Sequence, residues 1–184
     1  MKVILINGSP KAKGCTFTAL SEVASALEKN GIETEIVHAS FDRAVIADTA
    51  KKVEEADGLV VGSPVYYASA SGLCTFFMDE LFNRVGGKVR LKVAAAVCSC
   101  RRGGASATFD QLNKYFTISQ MIVVSGNYWN QVHGNKPEEV AQDEEGLQTL
   151  RILAGNMAYV IKSLKAAALE LPETEKIVKT NFIR

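Results

Sequence analysis

The residues with the clearest chemical potential lie in the segment Leu5-Ile6-Asn7-Gly8-Ser9-Pro10-Lys11-Ala12-Lys13-Gly14-Cys15-Thr16. An apolar run leads into a loop of Gly, Ser, Pro and Lys, and a helix-forming stretch follows. That order sets backbone N–H groups, hydroxyls and two ammonium groups at the positive end of a helix, where a phosphate is stabilised. Spacing excludes three standard phosphate loops. A triphosphate loop, G-x-x-x-x-G-K-[ST], fails because Lys13 stands where the second Gly belongs and Cys15 follows Gly14. The dinucleotide pattern G-x-G-x-x-G fails because Pro10 lies two residues after Gly8. A cysteine-phosphatase loop needs an Arg six residues after its Cys, and Cys15, Cys98 and Cys100 meet Ser21, Gly104 and Ser106 there. A single phosphate monoester fits better.

Two further loops follow apolar runs. After Leu59–Val61 comes Gly62-Ser63-Pro64-Val65-Tyr66-Tyr67-Ala68-Ser69-Ala70-Ser71-Gly72, and after Val93–Val97 comes Cys98-Ser99-Cys100-Arg101-Arg102-Gly103-Gly104. In open α/β sheets ligands sit beyond the carboxyl ends of the strands, at the switch point. Three such loops, rich in Gly and Ser, can present backbone groups to a flat polar ligand, with Tyr66 and Tyr67 as an aromatic wall. Each candidate also has a plainer reading. One of Lys11 and Lys13 is expected at the phosphate, the other as a surface charge. Arg101 and Arg102 are either anion ligands or a solvated pair. Tyr128 and Trp129 either cap a ligand or subunit face, or form a satellite cluster under a long loop. His133 reads as a loop residue, and Cys98 and Cys100 as buried thiols at a strand end.

The elements that must position these loops are legible in the apolar pattern. Val3–Ile6, Leu59–Val61, Val93–Val97 and Met121–Val124 are short, continuous apolar runs, the mark of strands buried on both faces. Thr34–His38 is more polar and reads as an edge strand. Helical spacing appears over Phe17–Asn30, Asp48–Glu55, Ser71 or Gly72 to Arg84, Ala105–Phe116 and Leu147–Leu169. Alternating strands and helices predict a parallel sheet covered on both faces. Asn127–Gly146 breaks the alternation and reads as a functional or mobile connection. We assign residues 1–171 to one domain and 172–184 to a polar tail ending in Phe182-Ile183.

Composition limits the function. The 184 residues carry 21 basic and 20 acidic side chains, a net charge of +1, which favours neither nucleic acid nor an anionic membrane as partner. At 47% hydrophobic the chain can bury a large core. No apolar run reaches the roughly 18 residues of a membrane span, and the start lacks the apolar core of an export leader, so a cytoplasmic protein is expected. The four cysteines, Cys15, Cys74, Cys98 and Cys100, include only one close pair, so no metal site is expected.

Gly8-Ser9-Pro10 with Thr16, Ala56-Asp57-Gly58 leading to Ser63-Pro64-Val65-Tyr66-Tyr67, Phe77-Met78-Asp79 and Arg102-Gly103-Gly104 resemble the flavodoxin-like NAD(P)H-dependent FMN reductases, which include the iron–sulfur flavoproteins. The resemblance covers most of the chain. It implies a three-layer doubly wound fold with a five-stranded parallel sheet, order 2-1-3-4-5. It implies that Ser9, Lys11, Gly14, Cys15 and Thr16 hold the FMN phosphate, Cys15 standing where the family more often has Asn. Pro64, Val65, Tyr66 and Tyr67 would follow the ribityl chain and ring edge. Ser99, Arg102, Gly103 and Gly104 would meet the pyrimidine end of the ring. The flavin, not a side chain, would carry the redox step, with NAD(P)H as electron source and a flavin, quinone or similar small molecule as acceptor. The close-set cysteines of the iron–sulfur members are absent: Arg43–Asp57 holds none. The resemblance therefore implies FMN without a cluster, and a homodimer or homotetramer. A flavodoxin-type electron carrier is the alternative, weakened by the absence of the acidic surface that steers carriers to basic partners. A flavin-free α/β binding domain is a third reading.

Overall fold

The computed structural model describes residues 1–180. Its centre is a parallel sheet of β1 (Lys2–Asn7), β2 (Glu33–His38), β3 (Gly58–Tyr66), β5 (Val93–Cys100) and β6 (Ile122–Val123), in the order β2-β1-β3-β5-β6. Two short strands join it. β4 (Ser69–Ala70) pairs antiparallel with the end of β3, and β7 (Gln131–His133) pairs parallel with the end of β5. The five parallel strands follow the expected order, so the flavodoxin-like fold stands with seven strands in place of five.

Burial on both faces explains the continuous apolar runs. Side chains of a strand alternate between faces. Ile4, Ile6, Leu59, Val61, Ala94 and Ala96 enter one core layer. Val3, Leu5, Val60, Val93, Ala95 and Val97 enter the other. Helices α2 (Arg43–Glu55), α3 (Gly72–Val85) and α4 (Ala105–Ile118) cover the first face through Ile46, Phe77, Leu81 and Phe116. Helices α1 (Cys15–Lys29) and α6 (Glu144–Ala167) cover the second through Leu20, Leu27, Leu153 and Met157. A single turn, α5 (Pro137–Val140), precedes α6. No helix among the described residues is long and apolar enough to cross a membrane.

Several boundaries differ from the sequence reading. β3 runs on to Tyr66 and β5 to Cys100, so Ser63–Tyr66 and Cys98–Cys100 are strand, not loop. Pairing extends them: Ser63 and Pro64 lie beside Cys98 and Ser99, and β7 continues the ladder along Cys98–Cys100. α2 begins at Arg43, five residues before Asp48, because Asp42 caps it by accepting the Ala44 N–H at 2.8 Å. α6 begins at Glu144 because Asp143 accepts the Gly146 N–H at 2.9 Å. The stretch Asn127–Gly146 holds β7 and α5, not a structureless loop. Beyond α6, residues up to Thr180 form no regular element. Phe182-Ile183 lie outside the described residues.

The amino-terminal end of the sheet is closed by charge. The half-buried Lys92 ammonium donates to the Glu54 and Ala56 carbonyls at 2.5 and 2.6 Å, satisfying the end of α2. Asp57 accepts the Lys2 N–H at 2.8 Å and pairs with Lys165 at 2.9 Å. Burial alone would raise the Asp57 pKa, but the Lys165 ammonium and the Lys2 N–H outweigh it and hold the carboxyl below its usual value. A depressed carboxyl stabilises the fold fully above its unfolded pKa and loses that effect as pH falls through the folded value. Asp57→Ala should therefore cost about 1–2 kcal/mol at neutral pH. Denaturant titrations should show the gap to wild type closing below about pH 4.

Candidate functional site

At the carboxyl end of the sheet the chain leaves β1 toward β2 on one side and β3 toward β5 on the other. This is the switch point where open sheets bind ligands. The loop after β1 is fastened there from within. The Gly8 N–H donates to the Gly62 carbonyl at 2.8 Å, and Ser71 Oγ donates to the Gly8 carbonyl at 2.5 Å. Ser71 also caps α3 by accepting the Cys74 N–H, while its own N–H donates to Ser63 Oγ. Gly8 has no room for a Cβ, which would collide with the Cys74 side chain and lie 2.9 Å from the Gly62 oxygen. The fully buried Asn7 braces the rest of the loop: its Nδ2 donates to the Ala12 carbonyl at 3.0 Å, and its Oδ1 accepts the Ser9 N–H at 3.2 Å. His38, at the end of β2, bonds the Ser9 carbonyl through Nε2 at 2.8 Å.

These bonds shape a cavity of about 160 Å³ lined by Ser9, Lys11, Gly14, Cys15, Thr16, Pro64, Val65, Tyr66, Ser99, Cys100, Arg101, Gly134 and Asn135. Two of these side chains are cations and none is a carboxylate. The amino terminus of α1 opens into it. The first N–H groups of a helix have no intrahelical partner, and Gly14 at the cap position supplies no side-chain acceptor. By contrast Asp42, Ser71 and Asp143 cap α2, α3 and α6 with their own side chains. Only α4, capped by Gly104, shares this lack among the described helices longer than one turn. Uncapped donors, a helix dipole and two cations facing no carboxylate suit a phosphate. Buried Thr16 and Ser99 bond each other's hydroxyls at 2.8 Å on the cavity wall.

The lip is the β3–β4 hairpin, closed by Tyr67 and Ala68. Both residues have positive φ, 52° and 58°, which costs roughly 1–3 kcal/mol each for residues other than Gly. Gly104 has φ 92° and leaves space for the turn. All four thiols are held above their ordinary pKa, chiefly by burial, with Cys74 pushed up to about 12. Neutral thiols are poor nucleophiles and metal ligands. Cys100 Sγ lies 3.5 Å from His133 Nδ1, and Cys15 Sγ lies 3.6 Å from the Gly134 carbonyl. No group of three or more His, Cys, Asp or Glu side chains is placed to hold a metal among the described residues. A larger hollow of about 370 Å³ lies at the opposite end of the sheet, beside Asp57, Lys88 and Lys92. Its cations are engaged, Lys88 by Glu54 and Lys92 by the end of α2.

Nine residues expected at a site thus line one cavity: Ser9, Lys11, Gly14, Cys15, Thr16, Pro64, Val65, Tyr66 and Ser99. Tyr67 stands fully in solvent at the turn tip, and Arg102 and Gly103 are exposed beyond the end of β5. Gly104 packs against Val65 and Ala68, not into the cavity. Sequence reading passed over Gly134 and Asn135, and over Asn7, His38 and Ser71 as supports of the loops. The one available signal was Asn7, a polar residue ending an apolar strand.

Fold and cavity together define a flavodoxin-like α/β protein with a cation-lined cavity at the switch point. Residues 1–136 match the NADPH-dependent FMN reductase family. An iron-sulfur flavoprotein of Methanocaldococcus jannaschii is 34% identical over 90% of this chain and 100% of its own length. An FMN reductase (NADPH) of Escherichia coli is 32% identical over 51% of this chain and 56% of its own length. Among solved structures, a WrbA-like flavodoxin from Agrobacterium tumefaciens superposes with a TM-score of 0.72 at 17% identity, covering 88% of this chain and 98% of that one. The chain belongs to the NADPH-dependent FMN reductase family and is an FMN-dependent oxidoreductase.

The brace beneath the cradle has a direct test. Asn7→Ala removes one donor and one acceptor from a buried network, and should lower stability by about 1–3 kcal/mol. Thermal unfolding of the ligand-free protein reads the loss.

Proposed function

We propose that the cavity beside α1 holds the phosphate of FMN, and that the protein takes electrons from NADPH or NADH and reduces a small acceptor such as a flavin or quinone. The observation that carries this reading is the cavity lining: two cations, no carboxylate, and a helix terminus without a side-chain cap. Lys11, Arg101 and the first N–H groups of α1 would neutralise the phosphate, with Ser9 and Thr16 as hydroxyl partners. The cavity is smaller than the roughly 300–1,000 Å³ of sites that enclose a whole ligand, so it suits the polar end of the cofactor. The ring would rest at the lip, beside Tyr66, Tyr67 and the Arg101–Gly104 segment. FMN held there would supply the redox chemistry between a reduced nicotinamide and the acceptor. The protein's part is to bind, to orient, and to offer Arg102 and nearby N–H groups where negative charge develops.

We further propose FMN without an iron–sulfur cluster. Cys15, Cys74 and the Cys98/Cys100 pair sit on three separate elements with thiols kept protonated by burial, which supports this reading. Unpaired thiols also suit a reducing, cytoplasmic setting. The half-exposed Tyr128 and Trp129 and the exposed tail residues Ile177 and Val178 suit a homo-oligomer.

Purified protein should release FMN, not FAD, on denaturation, and should contain neither iron nor acid-labile sulfide. Anaerobic NADPH or NADH should bleach the flavin rapidly. Slow bleaching by both, with fast reduction by a protein donor, would instead identify an electron carrier. Thr16→Val should weaken FMN binding by about 1–3 kcal/mol in a fluorescence titration, and unchanged affinity would place the phosphate elsewhere.

A further inference from the structure

The turn at the lip is built against its own preference. Tyr67 and Ala68 form a two-residue hairpin loop, with Val65 facing Ala70 and Tyr66 facing Ser69. Positive φ at both positions is the type I′ conformation, for which Asn-Gly is the usual pair. Neither residue here is Asn or Gly. Such a turn persists only where its surroundings over-determine it.

Those surroundings come from α4. Gln111 Oε1 accepts two hydrogen bonds from β4, from Ser69 Oγ at 2.8 Å and from the Ala70 N–H at 2.9 Å. At the start of the same helix, a Cβ on Gly104 would come within 2.8 Å of Ala68 Cα and 2.9 Å of Val65 Cγ1. Gln111 therefore fixes the returning strand while Gly104 leaves the turn its space. Gln111 lies outside the cavity lining, whereas Pro64, Val65 and Tyr66, on the opposite arm of the hairpin, lie in it.

We propose that Gln111 is a positioning residue for flavin binding: it locks the strained Tyr67–Ala68 turn and thereby holds Val65 and Tyr66 against the cavity. The inference rests on the FMN reading above and adds a determinant of affinity that does not touch the ligand. It also explains why a half-buried polar side chain on α4 spends its single carbonyl on two donors of one short strand.

The test separates the lock from general stability. Gln111→Leu keeps a good helix former, so the fold should survive. In the FMN-free chain, amide exchange over residues 65–70 should quicken by about tenfold, and FMN affinity should fall by about tenfold. Gln111→Glu, whose carboxylate accepts the same two bonds, should stay within about threefold of wild-type affinity. In an Ala68→Gly background the loss on Gln111→Leu should shrink, because Gly adopts positive φ without strain. Unchanged exchange, faster exchange with unchanged affinity, or an equal loss in both backgrounds would each overturn the proposal. If the unmodified chain fails to bind FMN, the functional reading falls, while the exchange comparison still decides whether Gln111 locks the turn.

Discussion

The site depends on one contact, the approach of the Gly8 backbone to β3. The Gly8 N–H reaches the Gly62 carbonyl at 2.8 Å, and the Gly8 carbonyl receives the Ser71 hydroxyl that caps α3. Two crossings of the sheet and one helix start are thereby tied at a single residue. The approach is possible only without a Cβ, since a side chain there would meet Cys74 and the Gly62 oxygen. With that point fixed, Asn7 can span the loop from inside, and α1 starts with its first N–H groups facing the cavity. The geometry of the cradle thus follows from backbone packing at the switch point, before any ligand-contacting side chain is considered.

The electrostatics follow from the same arrangement. The chain as a whole is nearly neutral, at +1, yet the cavity gathers Lys11 and Arg101 with no carboxylate. Glu139 stands just behind the lining, where it accepts the Asn135 N–H at 2.6 Å, and other carboxylates are engaged in ion pairs such as Glu35 with Lys2 and Lys52, or Asp57 with Lys165. The other long helices spend Asp or Ser side chains on their caps. α1 and α4 carry Gly at that position and leave their donors available on the side of the sheet where ligands bind. A local concentration of positive charge thus arises in a nearly neutral protein, which suits a small anion.

Much of this was legible in the sequence, for a physical reason. Strands buried on both faces must be continuously apolar, so Val3–Ile6, Leu59–Val61 and Val93–Val97 announced a parallel sheet and the loops beyond their ends. The loops then brought forward Ser9, Lys11, Thr16, Tyr66 and Ser99. Pairing between distant segments was less visible. β3 and β5 run past their apolar cores because each supports the other's polar end, and β4 and β7 are too short to show a period. Asn7 and Gln111 were passed over because their work lies in bonds. The bonds from β4 to Gln111 span 41 and 42 residues of sequence, beyond the reach of local pattern.

The proposed role of the cradle at Gly8–Thr16 is to recognise a phosphate. FMN and riboflavin differ by that group alone, so comparing their dissociation constants for the flavin-free protein isolates it. If Lys11, Arg101 and the α1 terminus bind the phosphate through several charge-assisted bonds, FMN should bind at least about a hundredfold more tightly than riboflavin. The preference should weaken as salt is added. Equal affinity for the two would rule out phosphate recognition by the cradle.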